Sequence, residues 1–353
     1  MKNFSSGFGR FACLLLVGTS LVVACEPKKD DPKPPVTPPT AINAIDSVYV
    51  VNEGAANGAI SLFDKISRAV RRDVYGPANG GQLLGPYVQN LTVVGKKAYL
   101  VVNGTDAVQV VSFPGFVRTA TIGNLSQPRY LVAASASKGY LSEWRGGYLN
   151  YLPGRVSVID LTTNTVTATI TVGVNPEQLL LAEGRLYVTS TEGNALTVIN
   201  TTTNAVESTI ALPDGPKNIL RDGNGNIWVL CSKYLAATDY LVRFAPATPT
   251  QQTRIAFPGD YRNGNLRTNA AGTKIYVSLG TGTYALEPAA TALSAAPLVR
   301  RTFYGLGIDP QDGTLYGGTA SFSADARVIR YTPAGAAIDS FSVGLGPNSF
   351  YFQ

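Results

Sequence analysis

Histidine is absent from all 353 residues of the sequence. This absence excludes His-based acid–base catalysis, Ser-His-Asp and Cys-His arrangements, and the commonest metal and haem ligand. No GxSxG, Walker A or HExxH pattern occurs either. The segment Asp222–Asn226 resembles a calcium loop, but it lacks the distant bidentate Glu, and we interpret it as a turn. We therefore expect no metal, no cofactor and no enzymatic activity.

Methionine and cysteine are scarce. Met1 is the only methionine, and the three cysteines are Cys13, Cys25 and Cys231. Cys13 would be lost with an N-terminal signal segment and Cys25 would carry a lipid, so no free cysteine is left to pair with Cys231. Its place in the apolar run IWVLC predicts an inert core side chain and no intrachain disulfide.

Dense runs of basic residues are also lacking. Removing residues 1–24 takes away Lys2 and Arg10 and no acidic residue, so the formal net charge falls from +6 to +4. Apart from isolated pairs such as Arg71-Arg72 and Arg300-Arg301, there is no concentration of Lys and Arg that would follow a phosphate backbone. We therefore expect a solvated basic surface that binds no nucleic acid.

The N-terminus has the layout of a processed and anchored segment. Residues 1–24 carry two basic residues before an apolar run that is too short for a permanent membrane span, as in a signal peptide. The run ends in LVVAC, which resembles a lipobox and implies lipidation of Cys25; an ordinary signal peptide or a chance cysteine is the alternative. The following EPKKDD resembles the surface-export signal of Bacteroidota lipoproteins. Six prolines between Pro27 and Pro39 predict that residues 25–44 form a stiff tether.

The stretch Asn175–Pro213 shows how the remainder, residues 45–353, is built. Alternating apolar residues and turn signals predict four short strands, at Glu177–Ala182, Arg185–Thr189, Ala195–Asn200 and Val206–Leu212. A meander of this length cannot bury both of its faces alone. It must stack against copies of itself.

The copies are marked by an aromatic residue in the second strand, at intervals of 40 to 50 residues: Tyr49, Tyr99, Tyr140, Tyr187, Trp228, Tyr276 and Tyr316. A period of about 40–50 residues with four strands is typical of β-propeller blades. A proline opens the first strand in QPRYLV, NPEQLL and GPKNIL, where it disturbs no ladder. The sequence predicts an all-β, seven-bladed propeller of four-stranded antiparallel blades.

The two ends of the folded region predict how the ring closes. Ser47–Tyr75 supplies only three strands, whereas Gly346–Gln353 reads as a first strand with nothing after it. We expect the last strand to complete the first blade, which leaves no open sheet edge at the join.

The phrases GRVSVIDLTTNTVTATITVGVNP and NALTVINTTTNAVESTIALPDGP resemble those of the YncE-like seven-bladed propellers. That family is related in fold to the quinoprotein amine dehydrogenase β-chain and to surface-layer propellers. The overall layout also resembles lipid-anchored Bacteroidota propellers that cap TonB-dependent transporters and capture cobalamin or iron-siderophore complexes. The resemblance implies an outer-membrane, cell-surface lipoprotein that binds a nutrient such as a siderophore, corrinoid or glycan.

One face of the ring is predicted to bind the ligand. In propellers, the loops between strands two and three and those between blades share one face, and most of the inserted residues fall there. Tyr, Trp and Arg dominate binding hot spots, and their combination favours a planar or anionic small molecule. The predicted binding residues on this face are Arg129, Tyr130, Trp144, Arg145, Tyr148, Tyr151, Lys233, Tyr234, Tyr261, Arg262, Arg300, Arg301 and Tyr304.

Two other functions stay open. The same aromatic residues could pack loops onto the sheets, and the propeller could be a structural or adhesive module that binds a protein. An enzyme of the lactonase or lyase type would use carboxylates near the channel mouth, namely Glu53, Asp106 or Glu177. The spacing identifies no acid–base partner for them, so the enzyme ranks last.

Overall fold

The computed structural model describes residues 46–146, 151–259, 264–321 and 323–353. Cys25, the signal peptide and the tether lie outside these ranges, so their assignment stays a prediction. None of the helices in the described ranges is long and apolar enough to cross a bilayer.

Twenty-seven strands are present in the described ranges. The first half comprises β1 Ser47–Asn52, β2 Ala59–Asp64, β3 Val70–Arg71, β4 Val88–Val94, β5 Lys97–Val102, β6 Ala107–Ser112, β7 Arg118–Ile122, β8 Pro128–Ala133, β9 Lys138–Glu143, β10 Pro153–Asp160, β11 Thr165–Val174, β12 Pro176–Ala182, β13 Arg185–Ser190 and β14 Ala195–Asn200. The second half comprises β15 Ala205–Ala211, β16 Pro216–Arg221, β17 Ile227–Cys231, β18 Thr238–Phe244, β19 Thr253–Pro258, β20 Asn265–Thr268, β21 Ile275–Leu279, β22 Gly282–Leu286, β23 Gly305–Ile308, β24 Leu315–Gly318, β25 Ala326–Tyr331, β26 Ala337–Val343 and β27 Pro347–Phe352. A one-turn helix α1, Tyr75–Ala78, and a 3-10 turn, Asn103–Thr105, complete the elements of the described ranges.

The strands form seven antiparallel sheets that surround one axis. Each innermost strand contacts the next in a closed cycle of β4, β8, β12, β16, β20, β23, β27 and again β4. The blades are numbered in chain order, and six of them have four strands: blade one (β27 with β1–β3), blade two (β4–β7), blade three (β8–β11), blade four (β12–β15), blade five (β16–β19) and blade seven (β23–β26). The sixth blade has β20, β21 and β22, and a single bridge between Thr283 and Val299 occupies the position of its fourth strand. The predicted all-β, seven-bladed propeller is confirmed.

The predicted closure is also confirmed. The first blade has the order β27-β1-β2-β3, so the last strand of the chain is its innermost strand. Tyr351 lies opposite Tyr49 in the β27–β1 pairing, and Phe350 lies opposite Val50. Phe350 and Phe352 pack against the buried ring of Tyr316 in the seventh blade. The closing strand therefore joins the first and last blades through both backbone and side chains.

The second strand of every blade is enclosed on both faces by neighbouring blades. Its residues are almost all buried, which explains why these segments are continuously apolar and do not alternate. The seven marker aromatics are each at most 2% exposed. We call this set the latch ring: Tyr49, Tyr99, Tyr140, Tyr187, Trp228, Tyr276 and Tyr316.

Tyrosine hydroxyls of the latch ring donate hydrogen bonds to turns of the next blade. The Tyr99 hydroxyl donates to the carbonyl of Leu161 in the next blade at 3.1 Å. The Tyr140 hydroxyl repeats this contact one blade later, donating to the carbonyl of Thr201 at 3.1 Å. These bonds explain the choice of Tyr over Phe, because a buried hydroxyl needs a partner and here it links two blades.

The segment Asp222–Asn226 forms the turn between β16 and β17. The Asp222 carboxylate accepts hydrogen bonds from the backbone N–H of Asn224 and of Asn226, both at 2.9 Å, and from Nε1 of Trp228 at 2.8 Å. Its oxygens thus stabilise the turn and one latch-ring residue. No group of three Cys, Asp or Glu side chains that could hold a metal ion occurs in the described part of the chain. Cys231 is 1% exposed, in agreement with a core position, and burial raises the pKa of its thiol.

Candidate functional site

A cavity of about 310 Å³ lies at one end of the propeller axis. It opens on the face that carries the loops between second and third strands, because Trp144 and Ser232 at the start of two such loops line it. All seven blades contribute to its wall. The lining residues are Glu53, Gln89, Arg129, Tyr130, Trp144, Glu177, Gln178, Thr191, Lys217, Asn218, Ser232, Gly264, Asn265, Arg267, Tyr304 and Asn348.

A repeated backbone irregularity directs side chains into this cavity. In five blades the register between the innermost strand and its neighbour shifts just after the first residue of the innermost strand. Such β-bulges leave an extra residue unpaired and re-aim its side chain, and they are common beside functional sites. We call the five cavity-lining residues that follow the first residue of these strands the mouth ring: Gln89, Arg129, Glu177, Lys217 and Asn348.

Hydrogen bonds between blades hold the innermost strands in place. The side-chain oxygen of Asn90 accepts from the backbone N–H of Leu131 at 3.1 Å, and that of Gln178 accepts from Ile219 at 3.1 Å. Nδ2 of Asn348 donates to the carbonyl of Val88 at 2.9 Å and so spans the closure. The cavity wall is therefore built on strands that are fixed relative to one another, which favours a preformed site.

Arg129, Glu177 and Trp144 form one compact group on this wall. The guanidinium of Arg129 donates to both carboxylate oxygens of Glu177, from Nε at 2.9 Å and from Nη2 at 2.6 Å. Its carbon Cζ lies 4.3 Å from the centre of the Trp144 ring, and Nε1 of Trp144 donates to the carbonyl of Pro176 at 3.0 Å. Burial by itself lowers the pKa of Arg129, but the charge and hydrogen bonds of Glu177 outweigh it and the pKa is raised. The group thus combines a bidentate Arg–Glu ion pair with an aromatic ring that the guanidinium covers.

Glu53 anchors a second group across the closure. Its carboxylate accepts from Nε2 of Gln89 at 2.9 Å and from the hydroxyl of Tyr304 through a very short bond. Burial, and then the negative charge of Glu53, raise the pKa of Tyr304, so its hydroxyl stays protonated as a donor. Both carboxylates of the cavity wall are thus already engaged by protein donors.

Blades five and six present a different surface. Nη1 of Arg267 donates to the carbonyl of Leu266 at 2.8 Å, and none of the described acidic residues forms an ion pair with it. Burial lowers the pKa of Arg267. Asn218 is 7% exposed, and its Oδ1 has no hydrogen-bond partner among the described residues. The described wall carries three basic residues, Arg129, Lys217 and Arg267, and two acidic ones, Glu53 and Glu177.

The structure brings four of the thirteen predicted binding residues together. Arg129, Tyr130, Trp144 and Tyr304 line the cavity. Six others are absent from its described wall, although they belong to loops on the predicted face: Arg145, Tyr151, Lys233, Tyr234, Arg300 and Arg301. Tyr148, Tyr261 and Arg262 lie outside the described residues. Whether any of these residues binds a ligand stays a prediction.

The three carboxylates considered for an enzyme are also separated. Glu53 and Glu177 line the cavity. Asp106 does not line it and instead accepts a hydrogen bond from the backbone N–H of Gln127 at 2.6 Å. The cavity therefore offers two acidic residues, each held by a neutral or basic donor.

Several lining residues were missed by the sequence reasoning. Three of them, Lys217, Asn348 and Gln89, belong to the mouth ring. Two others, Asn218 and Arg267, line the cavity from blades five and six. A usable signal existed for Lys217 and Asn348, because each directly follows the proline that opens an innermost strand. Arg267 had no such mark, since β20 begins at Asn265 without a proline.

The sequence profile described as Domain of unknown function (DUF5074) matches residues 46–331. The chain belongs to the DUF5074 family. The match includes the whole cavity wall except Asn348. A search of curated proteins found no match.

Solved structures similar to this DUF5074 chain share its fold. A quinonprotein alcohol dehydrogenase-like protein from Bacteroides thetaiotaomicron has a TM-score of 0.65 at 14% identity, covering 87% of this chain and 78% of that one. A functionally unknown protein from Desulfotomaculum acetoxidans has a TM-score of 0.62 at 13% identity, covering 88% and 99%. Hydrazine synthase from Kuenenia stuttgartiensis has a TM-score of 0.59 at 16% identity, covering 77% and 96%. The neighbours thus include propellers of the quinoprotein kind.

Proposed function

We propose that this protein is a cell-surface lipoprotein that binds a small anionic nutrient in its channel cavity and delivers it to a TonB-dependent outer-membrane transporter. The observation that carries the binding part is the cavity to which all seven blades contribute. Its volume of about 310 Å³ falls at the lower end of the range of ligand pockets. A compact ligand therefore fits within the wall, and a larger one would rest on the mouth.

The charges of the wall support an anionic ligand. Glu177 is neutralised by Arg129, and Glu53 is satisfied by Gln89 and Tyr304, whereas Arg267 has no acidic partner among the described residues. A ligand that brings a negative charge relieves this imbalance. The ring of Trp144 with the stacked Arg129 supports recognition of a planar group beside it.

The cellular setting of the proposal rests on the N-terminal sequence. Lipidation of Cys25 and a stiff tether over residues 25–44 would hold the propeller at the outer surface. Replacing Cys25 with Ala should leave the protein soluble or unprocessed, while the wild type partitions into detergent. Equal partitioning of the two proteins would reject the lipid anchor.

Calorimetric titration of the full-length protein with iron-siderophores, corrinoids and oligosaccharides tests the binding function. Trp144→Ala should weaken binding by about 2 kcal/mol if this aromatic is a hot spot. Lys96→Ala is the control, because Lys96 is exposed in the β4–β5 turn on the opposite face. Affinity should also fall as salt concentration rises. The site would be rejected if no ligand binds with a dissociation constant below about 1 mM. It would also be rejected if Lys96→Ala weakens binding and Trp144→Ala does not.

A second candidate, docking of a protein on the same face, is favoured by exposed apolar side chains near the mouth. Tyr151 and Leu152 are 48% and 42% exposed, and Tyr234 and Leu235 are 64% and 83% exposed. They lie in the loops that begin at Trp144 and Ser232. Exposed apolar patches mark interaction sites. If the substitutions Leu152→Ser and Leu235→Ser abolish the binding of a protein partner but leave small-molecule binding intact, this second function is identified.

A further inference from the structure

A second cavity, of about 360 Å³, lies between blades five and six. It opens on the same face as the channel cavity, because it forms where β19 ends and where β21 turns into β22. The two cavities share no described lining residue. We call the second cavity the side pocket; its apolar wall consists of Phe257, Pro258, Leu279, Tyr284 and Leu293.

The side pocket lies beside the incomplete edge of blade six. In the described ranges, only the bridge between Thr283 and Val299 stands where the other blades have a complete fourth strand. Phe257 of β19 packs with Leu279 and Tyr284 in one core cluster, and the gap beside them is left open. An open apolar gap is stabilised when an apolar group of another molecule fills it, because its walls then leave contact with water.

The polar groups of the side pocket favour a protein side chain over a free metabolite. The hydroxyls of Thr281 and Tyr284 bond to each other at 3.0 Å, and no other described side chain of the wall carries nitrogen or oxygen. Metabolite pockets contain a few polar groups that orient the ligand. A wall with one self-paired set of hydroxyls suits an aromatic side chain that the rest of a protein holds in place.

Exposed apolar side chains continue the surface next to the side pocket. Gly259, which lines the pocket, donates its backbone N–H to the carbonyl of Ala237 at 3.0 Å. This bond holds the loop that carries Tyr234 and Leu235 beside the pocket, and these side chains are 64% and 83% exposed. A pocket for one anchor, with apolar neighbours that exclude water around it, is the arrangement of a binding hot spot between proteins.

Basic residues flank the side pocket on two sides. Lys233 begins the exposed apolar loop, and its ion pair with Asp214 is long, at 4.0 Å, with both side chains exposed. Arg300 and Arg301 lie beside the turn from β21 to β22, because the carbonyl of Arg301 accepts a hydrogen bond from the Thr283 hydroxyl at 3.0 Å. A partner with acidic residues around its anchor complements this rim.

This step rests on the second candidate function, docking of a protein on this face, and specifies the contact. We propose that the side pocket receives an aromatic side chain from an acidic segment of a partner protein, with Lys233 and Arg300 next to the partner's carboxylates. Four predicted binding residues that do not line the channel cavity, Lys233, Tyr234, Arg300 and Arg301, thereby belong to this second site. A docked partner leaves the channel cavity free to hold its own ligand, since the two sites have separate walls.

Three labelled peptides test the assignment on the full-length protein by fluorescence polarisation: DEDWDED, DEDADED without the aromatic anchor, and KKKWKKK with the opposite charge. DEDWDED should bind at least about tenfold more tightly than each of the other two. Its affinity should also fall as salt concentration rises. If DEDADED binds as tightly, the anchor is rejected; if KKKWKKK does, the acidic character of the partner is rejected.

Matched variants locate the binding of DEDWDED. Thr281 is an exposed lining residue, so Thr281→Trp fills the pocket without removing a core side chain and should weaken binding at least about tenfold. Thr105→Trp, in the equivalent exposed turn of blade two, should change nothing. Arg300→Glu should weaken binding about fivefold, whereas Arg118→Glu, at an exposed arginine of β7 with the same change of net charge, should have a smaller effect. Thermal melts of each variant verify folding.

Other occupants of the side pocket would overturn the proposal. If indole alone binds as tightly as DEDWDED and displaces it, the pocket is a small-molecule site. If sedimentation velocity shows a dimer that Thr281→Trp dissociates, a second copy of the chain fills the pocket. Equal effects of Thr281→Trp and Thr105→Trp, or no binding of DEDWDED, would also reject the assignment.

The outcomes separate this inference from the proposed functions. A protein partner that is lost on Leu235→Ser but retained on Thr281→Trp leaves docking on this face standing and rejects the side pocket. Nutrient binding that depends on Trp144 and persists in Thr281→Trp leaves the channel site standing, whatever the peptides do. If neither nutrient nor peptide binds, the channel site and the side pocket are both rejected.

Discussion

The mouth ring and the latch ring are produced by the same repeat, yet their compositions are opposite. The latch ring contains six tyrosines and one tryptophan, all at most 2% exposed. The mouth ring contains five different residue types at five equivalent positions: Gln89, Arg129, Glu177, Lys217 and Asn348. Uniformity at one ring and diversity at the other indicate that stability and specificity are carried by separate positions of each blade.

Removing Pro347–Gln353 should have the largest effect, because it damages both rings at once. The deletion takes Asn348 from the mouth ring and uncovers the edge of β1, which carries Tyr49 of the latch ring. It also removes Phe350 and Phe352 from the core between blades one and seven. Total stability is only about 5–15 kcal/mol, so the shortened chain should be unfolded or aggregated.

Thermal denaturation followed by circular dichroism measures this effect. A shortened chain that melts cooperatively near the wild-type temperature would show that the ring is stable without its closing strand.

The two tryptophans of the sequence allow the rings to be compared with the same substitution. Trp228 belongs to the latch ring, is fully buried and donates to Asp222, whereas Trp144 is partly exposed at the mouth. Trp228→Ala should lower the free energy of unfolding by about 3–5 kcal/mol. Trp144→Ala should reduce stability far less while weakening ligand binding.

Urea denaturation and titration of both variants decide the comparison. Equal losses of stability would mean that the mouth carries as much of the fold as the latch ring does.

High pH should destabilise the fold through buried tyrosines, of which Tyr49 of the latch ring is the example. Burial, and next the charge of Tyr351, raise the pKa of Tyr49 to about 12. An unfolded tyrosine releases its proton near pH 10, so between pH 10 and 12 the unfolded state binds fewer protons than the folded one and stability falls as pH rises. Tyr49 alone contributes about 1.4 kcal/mol per pH unit over this window, and stability is fully retained below pH 10.

Tyr49→Phe removes this ionisation and should make the fall of stability above pH 10, measured by urea denaturation, less steep than in the wild type. Tyr151→Phe, at an exposed tyrosine near the mouth, is the matched control and should change nothing. Identical alkaline slopes for wild type and Tyr49→Phe would contradict the assignment.

Two bidentate Arg–Glu pairs that both involve blade four give the finest comparison. Arg129–Glu177 lies in the mouth with side chains 15% and 12% exposed, and Arg185–Glu207 lies on the outer surface with side chains 40% and 35% exposed. Glu177→Gln leaves the guanidinium of Arg129 partly buried without a counter-charge and should cost about 2 kcal/mol. Glu207→Gln should leave the melting temperature unchanged, because solvent screens an exposed pair. Equal melting temperatures for the two variants would contradict the special environment of the mouth.

The latch ring could be predicted from the sequence because its physical demand is the same in every blade. The space between two packed sheets must be filled by a large side chain, and an aromatic at a regular interval satisfies that need wherever it occurs. The closure of blade one could also be predicted from the sequence. SVYVVN belongs to a blade that is one strand short, and GPNSFYFQ is a strand with no blade of its own, so the two complete each other. Strand limits in blade four agreed to within one residue, as in Arg185–Ser190.

The mouth could be predicted only in part, because membership of a loop gives the face but not the distance from the axis. Arg145, Tyr151 and Arg300 belong to the predicted face and yet do not line the described cavity. The inward turn of Lys217 and Asn348 depends on β-bulges, which arise from the pairing of whole strands and leave no signal in local alternation. Arg267 faces the channel through the register of β20, which only the assembled blade determines.

The pairing of β27 with β1 also governs the order in which this protein can fold. The Tyr49 hydroxyl donates to Oε1 of Gln353 at 3.4 Å across 304 positions of the chain. Contacts this distant in sequence form late, because a long loop must close before they stabilise anything. As the chain emerges from the ribosome or from a membrane pore, blades two to five can stack one after another. During this time the inner edge of β1 stays unpaired. Until its last few residues arrive, that edge is open to other strands, and the period before closure is when the molecule is most exposed to aggregation.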